Sequence, residues 1–230
     1  VLGVFIRRAG HESPEFSQPE KKYSPPLLPT LRKHGLPLLF IALGAGFSHV
    51  TYSLSFTFMN GFAPLVTGTS KAVMLSLNTK LLFLDMLLLP FFGYFAYKFG
   101  KEKIMLFGSA GLALIAIPLF GLLEGADLHT ITFVRIAIML FGIAFAAPFY
   151  AWAIDLAPKE NKYLIFAFGS ALGSQIIGAP SSAICLWLYK ITGVIYTPGF
   201  YLALSGLTVS SVLIFLRSRK NEKLPASHPL

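Results

Sequence analysis

Four ionisable side chains stand inside runs of apolar sequence: His49, Lys80, Asp85 and Arg135. A charged Asp, Lys or Arg at the centre of a membrane helix is disfavoured by about 2.5 to 3.5 kcal/mol on insertion scales, so each such residue needs a physical reason for its place. Lys80 and Asp85 are five residues apart, roughly 140° around a helix, which aligns them poorly as a pair and points Asp85 to another partner. Three roles are open to Asp85: neutralising a cation, carrying a proton, or anchoring a turn at the end of its own helix. Arg135 has the planar fork that grips a carboxylate through two hydrogen bonds, and Arg135→Gln raises the KM of transport if that grip is on a solute. Arg135 and Lys80 both stand toward the same ends of their runs, and either has the reach to snorkel to the membrane surface. His49 carries a group that titrates near neutrality, although an isolated histidine in an apolar helix is commonly neutral and hydrogen-bonded.

Just after His49 come Tyr52, Ser53, Ser55, Thr57 and Asn60, interleaved with Phe56 and Phe58. Hydroxyls and aromatic faces on one helix suit a cavity for a small zwitterion or quaternary ammonium. They equally suit ordinary hydrogen bonding between helices, and spacing does not separate the two.

The elements that must carry these residues follow from composition. Hydrophobic residues make up 55% of the 230 and charged residues 13%, against about 25% charged in an ordinary soluble domain. The mean hydropathy is +0.68. Six apolar runs are expected to span a bilayer: 36–58, 75–97, 104–123, 131–154, 164–188 and 196–216. Each is near the ~20 residues that cross ~30 Å of hydrocarbon as a helix. They are continuously apolar, whereas barrel strands alternate over about ten residues. The expected fold is therefore all-α, a bundle of six transmembrane helices. Glycine and proline recur inside the runs, at Gly44, Gly46, Pro90, Gly93, Gly108, Gly111, Pro118, Pro148, Gly169, Gly173, Gly178 and Pro180. In membrane helices they permit close packing or bending.

Lysine and arginine gather on alternate connectors: Lys98, Lys101 and Lys103; Lys159 and Lys162; and Arg217, Arg219, Lys220 and Lys223. The opposite connectors carry Lys71, Lys190, Glu124 and Asp127. The positive-inside bias then predicts both termini in the cytoplasm of a multi-pass inner-membrane protein. Residues 1–35 read as the end of a preceding helix, closed by Arg7 and Arg8, followed by a polar, proline-bearing linker; 36–216 as the bundle; and 217–230 as a basic tail. The opening has no signal-peptide pattern and reads as a cut through a longer chain or an unusual start.

A net charge of +9 is spent at the ends of apolar runs, which fits a lipid surface and not nucleic acid. Cys185 is the single cysteine, so an internal disulfide and a cysteine zinc site are excluded. The histidines, at 11, 34, 49, 129 and 228, are scattered, and no metalloprotease, phosphate-loop or nucleophile-elbow motif is present. No enzyme activity, cofactor or metal is expected.

The stretch from Gly93 through Lys98, Gly100 and Lys101 to Lys103 resembles the Gly-x-x-x-Asp-Arg-x-Gly-Arg-Lys signature that the major facilitator superfamily repeats between the second and third helices of each half. Lys98 stands for the arginine and Tyr97 replaces the aspartate, which weakens a charge-relay role. Phe5-Ile-Arg-Arg-Ala-Gly-His-Glu-Ser-Pro-Glu-Phe16 is similar to the segment after the sixth helix of that superfamily's metabolite:proton symporters. Phe58-Met59, Asp85 ahead of Pro90 and Gly93, Asp155-Leu-Ala-Pro158 with Lys162-Tyr163, and Gly178-Ala-Pro-Ser-Ser-Ala-Ile-Cys-Leu-Trp-Leu188 continue the resemblance.

The likeness covers helices seven to twelve of twelve. It implies one half of a secondary transporter that moves a small organic solute, such as proline, betaine, α-ketoglutarate, citrate or shikimate, together with protons by alternating access. Its partners are then the bilayer, solute, protons and a complementary six-helix half. The candidate binding or coupling residues are His49, Tyr52, Lys80, Asp85 and Arg135, and the candidate gating turn is Gly93, Lys98, Gly100, Lys101 and Lys103. Two other readings remain open: a self-contained six-helix carrier or channel that dimerises, and a membrane remnant that transports nothing.

Overall fold

The computed structural model describes residues 27–222, with side chains through residue 219. The Phe5–Phe16 segment, the remnant of a preceding helix, most of the linker and the end of the basic tail lie outside the described residues. Leu27–Lys33 forms a short helix with Arg32 and Lys33 in its last turn. It is a unit apart from the body of the chain, which begins at His34.

That body is helical throughout, with no strand among the described residues. Among the described residues six helices are long and apolar enough to cross a membrane: Gly35–Thr67, Lys71–Phe99, Lys101–Gly121, Leu128–Leu156, Lys159–Thr192 and Thr197–Arg219. They are called the first to sixth spans below. Every one corresponds to an expected run, and the differences lie at the ends. The first span passes through Pro64 and closes only at Gly68, whose φ of 71° gives the left-handed turn that returns its N–H to the Pro64 carbonyl. The second starts at Lys71 because the Ser70 hydroxyl caps the Ala72 N–H. Asp127 caps the fourth in the same manner, accepting from the Thr130 N–H at 2.9 Å. The helix of the sixth span runs to Glu222, so Arg217 and Arg219, assigned above to a tail, are helical.

Two spans are interrupted by π-helical turns, Ser53–Phe58 in the first and Gly173–Gly178 in the fifth. A π turn widens the helix by one residue and loosens its hydrogen-bond ladder locally. In the fifth span the Ile177 carbonyl within that turn receives the Tyr201 hydroxyl of the sixth span at 3.0 Å.

The third span packs most extensively on the sixth and the fourth, the first on the fifth, and the second on the fourth. These contacts are close because small residues face them. A Cβ on Gly173 would stand 1.9 Å from the Ala42 carbonyl oxygen, and one on Gly108 would stand 2.6 Å from that of Phe141. Ser210 donates to Ser109 at 2.9 Å, a buried link between the sixth and third spans. The first and fourth spans form the centre, with 61% and 56% of their most apolar windows buried, whereas the second and fifth bury only 17% and 22%. The two peripheral spans leave broad apolar faces uncovered.

Candidate functional site

A cavity of about 520 Å³ opens between the first, second, fourth and fifth spans. The first span contributes Ser48, His49 and Tyr52; the fourth contributes Phe149 and Tyr150; the fifth contributes Ser170 and Ser174. Helical periodicity explains the first set, because positions 45, 48, 49 and 52 fall on one face. Phe149 is buried and stacks tilted on Trp152 at 6.1 Å, while Tyr150 is 62% exposed and meets Phe166 edge to face at 5.9 Å. The Ser170 hydroxyl is buried and has no hydrogen-bond partner among the described residues. The cavity therefore joins aromatic faces, serine hydroxyls and one imidazole within a largely apolar wall.

Tyr52 links this cavity to Asp85. Its phenol O–H donates to the two carboxylate oxygens of Asp85, at 3.0 and 3.2 Å. Asp85 is only 6% exposed and lies behind Tyr52 in a cleft lined also by Thr51, Phe56 and Met139. Asp85 thus has the separate partner that its poor alignment with Lys80 required. Lys80 is itself exposed on the second span.

His49 is also exposed, and it stands where a Cβ on Gly178 would meet its ring carbons, 2.6 Å away at the nearest. His49 lines the cavity, and the absence of a side chain on Gly178 leaves room for its ring against the fifth span.

Arg135 differs from its expectation. It is fully buried, so it neither snorkels nor lines the cavity. Its Nε donates to the Ser55 carbonyl at 3.1 Å, one terminal nitrogen donates to the Met74 carbonyl at 3.4 Å, and the other donates to the Asn78 side-chain oxygen. The Ser55 hydroxyl in turn donates to the Arg135 carbonyl at 3.4 Å. Ser55 belongs to the π turn of the first span, so Arg135 fastens that turn to the second and fourth spans. Asn78 was missed in the sequence; an amide two helical turns ahead of Asp85 on the same face was the available signal.

The other polar residues of the first span serve packing. Ser53 shares a hydrogen bond with Ser182 at 2.7 Å, and Asn60 donates to the Phe56 carbonyl at 2.6 Å. Thr57 is exposed.

In the signature turn, Gly100 has φ +98°, a conformation that a side chain would strain, and it joins the second span to the third. Lys101 forms an ion pair with Asp155 at the end of the fourth span. Lys98 lies over the Phe99 ring at 5.6 Å, and Lys103 is exposed. Among the described residues nothing stands within 4 Å of the place a Cβ on Gly93 would take.

Six membrane-length helices, four of which line a cavity carrying hydroxyls and aromatic rings, define a polytopic helical membrane protein. Comparison with known proteins makes the class specific. The chain is 27% identical over 95% of its length to the inner membrane metabolite transport protein YhjE of Escherichia coli K12, 52% of which is covered. It is 25% identical over its whole length to a putative proline/betaine transporter of Staphylococcus aureus MSSA476, covering 50% of that protein. It is 20% identical over its whole length to the glycine betaine/proline/ectoine/pipecolic acid transporter OusA of Dickeya dadantii, covering 48%. The chain spans about half the length of the curated relatives it matches. These relatives are transporters of major facilitator type, not enzymes, and the half-length matches are consistent with a carboxy-terminal half. No family model matches the chain, and no solved structure matches it significantly.

Proposed function

We propose that this chain supplies one six-span half of a proton-coupled secondary transporter for a small zwitterionic or quaternary ammonium solute, of the osmoprotectant kind. The observation that carries this reading is the cavity in which Tyr52, backed by Asp85, stands among Phe149, Tyr150 and three serines. A quaternary ammonium has no N–H to donate, so aromatic faces hold it better than hydrogen-bond acceptors do. Asp85 adds a negative charge behind the ring of Tyr52. The Ser174 hydroxyl donates to the Ser170 carbonyl at 2.8 Å, so Ser48, Ser170 and His49 are left for the carboxylate end of the solute. A purely anionic substrate is less well served, because Arg135 is occupied away from the cavity.

The second half of the cavity would come from a complementary six-span bundle placed against the second and fifth spans. Both spans line the cavity, and both are the least buried in the bundle. Residues 1–35 then form the connection to that bundle, 36–216 the membrane domain and 217–230 the tail. Both termini lie in the cytoplasm with the basic turns. Alternating access follows from the two halves rocking about a site near the midplane. Asp85 is the candidate proton carrier, with Tyr52 reporting its charge to the solute.

The test is uptake of labelled glycine betaine, proline, α-ketoglutarate and citrate into vesicles that carry the chain together with its complementary half, with and without an inward proton gradient. Gradient-dependent uptake of betaine or proline supports the proposal. Uptake of citrate alone, or uptake indifferent to the gradient, contradicts it.

A further inference from the structure

A second cavity, of about 430 Å³, lies at the basic end of the bundle, away from the solute site. It is enclosed by the start of the third span and the ends of the fourth and sixth. Residues at the beginning or end of a membrane span sit at headgroup depth, so a cavity bounded by three such termini opens there.

Its charges are unequal. Lys101, Lys103 and Arg217 face Glu102 and Asp155. Asp155 is taken by Lys101, which leaves Lys103 and Arg217 without an ion pair among the described residues. Both are exposed at the mouth. Gly100 caps the third helix without a side chain, so the positive end of that helix also faces the opening. The remaining wall is apolar: Leu156 and Leu216 stand beside a Trp152 that is only 5% exposed. Two free cations above an apolar wall match a molecule that is anionic at one end and greasy at the other.

We propose that this cavity binds the phosphodiester headgroup of an anionic phospholipid. Lys103 and Arg217 hold the phosphate, and Leu156 and Leu216 lie along the first carbons of the acyl chains. Basic recesses between membrane helices are suited to such headgroups, because charge and depth are satisfied together. A soluble phosphate would gain nothing from the leucines. A lipid phosphate here also reaches Lys101 and competes with Asp155 for it, which ties occupancy of the cavity to the contact between the signature turn and the fourth span.

The probe is phosphatidylglycerol, added to the purified full chain in detergent and followed by native mass spectrometry, with phosphatidylcholine as the zwitterionic comparison. The wild-type chain is expected to retain phosphatidylglycerol preferentially. The K103Q/R217Q double variant is expected to lose that retention by about tenfold or more. K162Q, which removes a lysine outside the cavity, is expected to behave as wild type. E102Q removes a competing negative charge and is expected to bind more tightly, a gain that a misfolded protein would not show. Equal retention of the two lipids, an unchanged double variant, or displacement of the lipid by inorganic phosphate would each overturn the proposal.

Discussion

The phenol of Tyr52 donates to the carboxylate of Asp85 at 3.0 Å, across two spans and thirty-three residues of sequence. Tyr52 thereby lines the cavity between the first, second, fourth and fifth spans and places its hydroxyl on a buried acid. Any change in the charge of Asp85 must act on the position or polarity of that hydroxyl, and any solute pressing on the ring must act on Asp85.

Tyr52→Phe removes the one side-chain donor that Asp85 has among the described residues and leaves a buried carboxylate unpaired, at a cost of about 1 to 3 kcal/mol. A lower unfolding temperature in detergent is expected. Tyr52→Phe combined with Asp85→Asn is expected to recover part of the loss, because the charge is gone. A double variant no more stable than Tyr52→Phe alone would show that the pair does not act as a unit.

Arg135 is expected to matter to folding more than to solute affinity. Arg135→Ala abandons three acceptors on the first and second spans and should destabilise the bundle by about 3 kcal/mol or more. Arg135→Lys keeps the charge but cannot fork to Ser55, Met74 and Asn78 at once. Both variants should therefore lower the yield of folded protein, while the folded fraction keeps its KM. A large rise in KM at unchanged stability would return Arg135 to the solute site.

Gly173→Ala and Gly93→Ala separate packing from composition. The first pushes a methyl against the Ala42 backbone, where the first and fifth spans meet, and no rotamer relieves it. The second meets nothing among the described residues. Thermal unfolding should be strongly lowered by the first and nearly unaffected by the second; equal effects would contradict the close contact of those spans.

Asp127 supplies a pH dependence with a defined sign. Hydrogen bonds from Thr130 hold its carboxyl below the usual carboxylate range. A depressed folded-state pKa contributes stability that is present above the unfolded value and is lost as pH falls through the folded one. Asp127→Ala should therefore differ from wild type near neutrality and converge with it in acid. A difference that grows on acidification would contradict the cap.

The sequence made the spans legible because hydrocarbon selects for uninterrupted apolar length, and length is read directly. Their ends were less legible. Gly68, Ser70 and the polar end of the sixth helix extend helices beyond the hydrocarbon, where hydropathy no longer reports them. That Asp85 needed a partner was readable from the angle to Lys80; that the partner is Tyr52 was not, because it depends on how two helices rotate against each other. The same limit explains Arg135. Position along the span suggested an outer end and a snorkelling side chain, whereas its azimuth turns it inward to the π turn at Ser55. Phe149 and Tyr150 went unremarked in a run already rich in aromatics, and only their place on the cavity sets them apart.

The central claim, that this chain carries half of a solute site completed by a second bundle, is tested most directly by uptake of labelled glycine betaine. Cells expressing the chain together with the six-span half that completes it are compared with cells expressing the chain alone. Saturable uptake by the pair only, abolished by a protonophore and reduced at least about tenfold by Tyr150→Ala through loss of a cation–π face, is the predicted result. Equal uptake by the chain alone would contradict it.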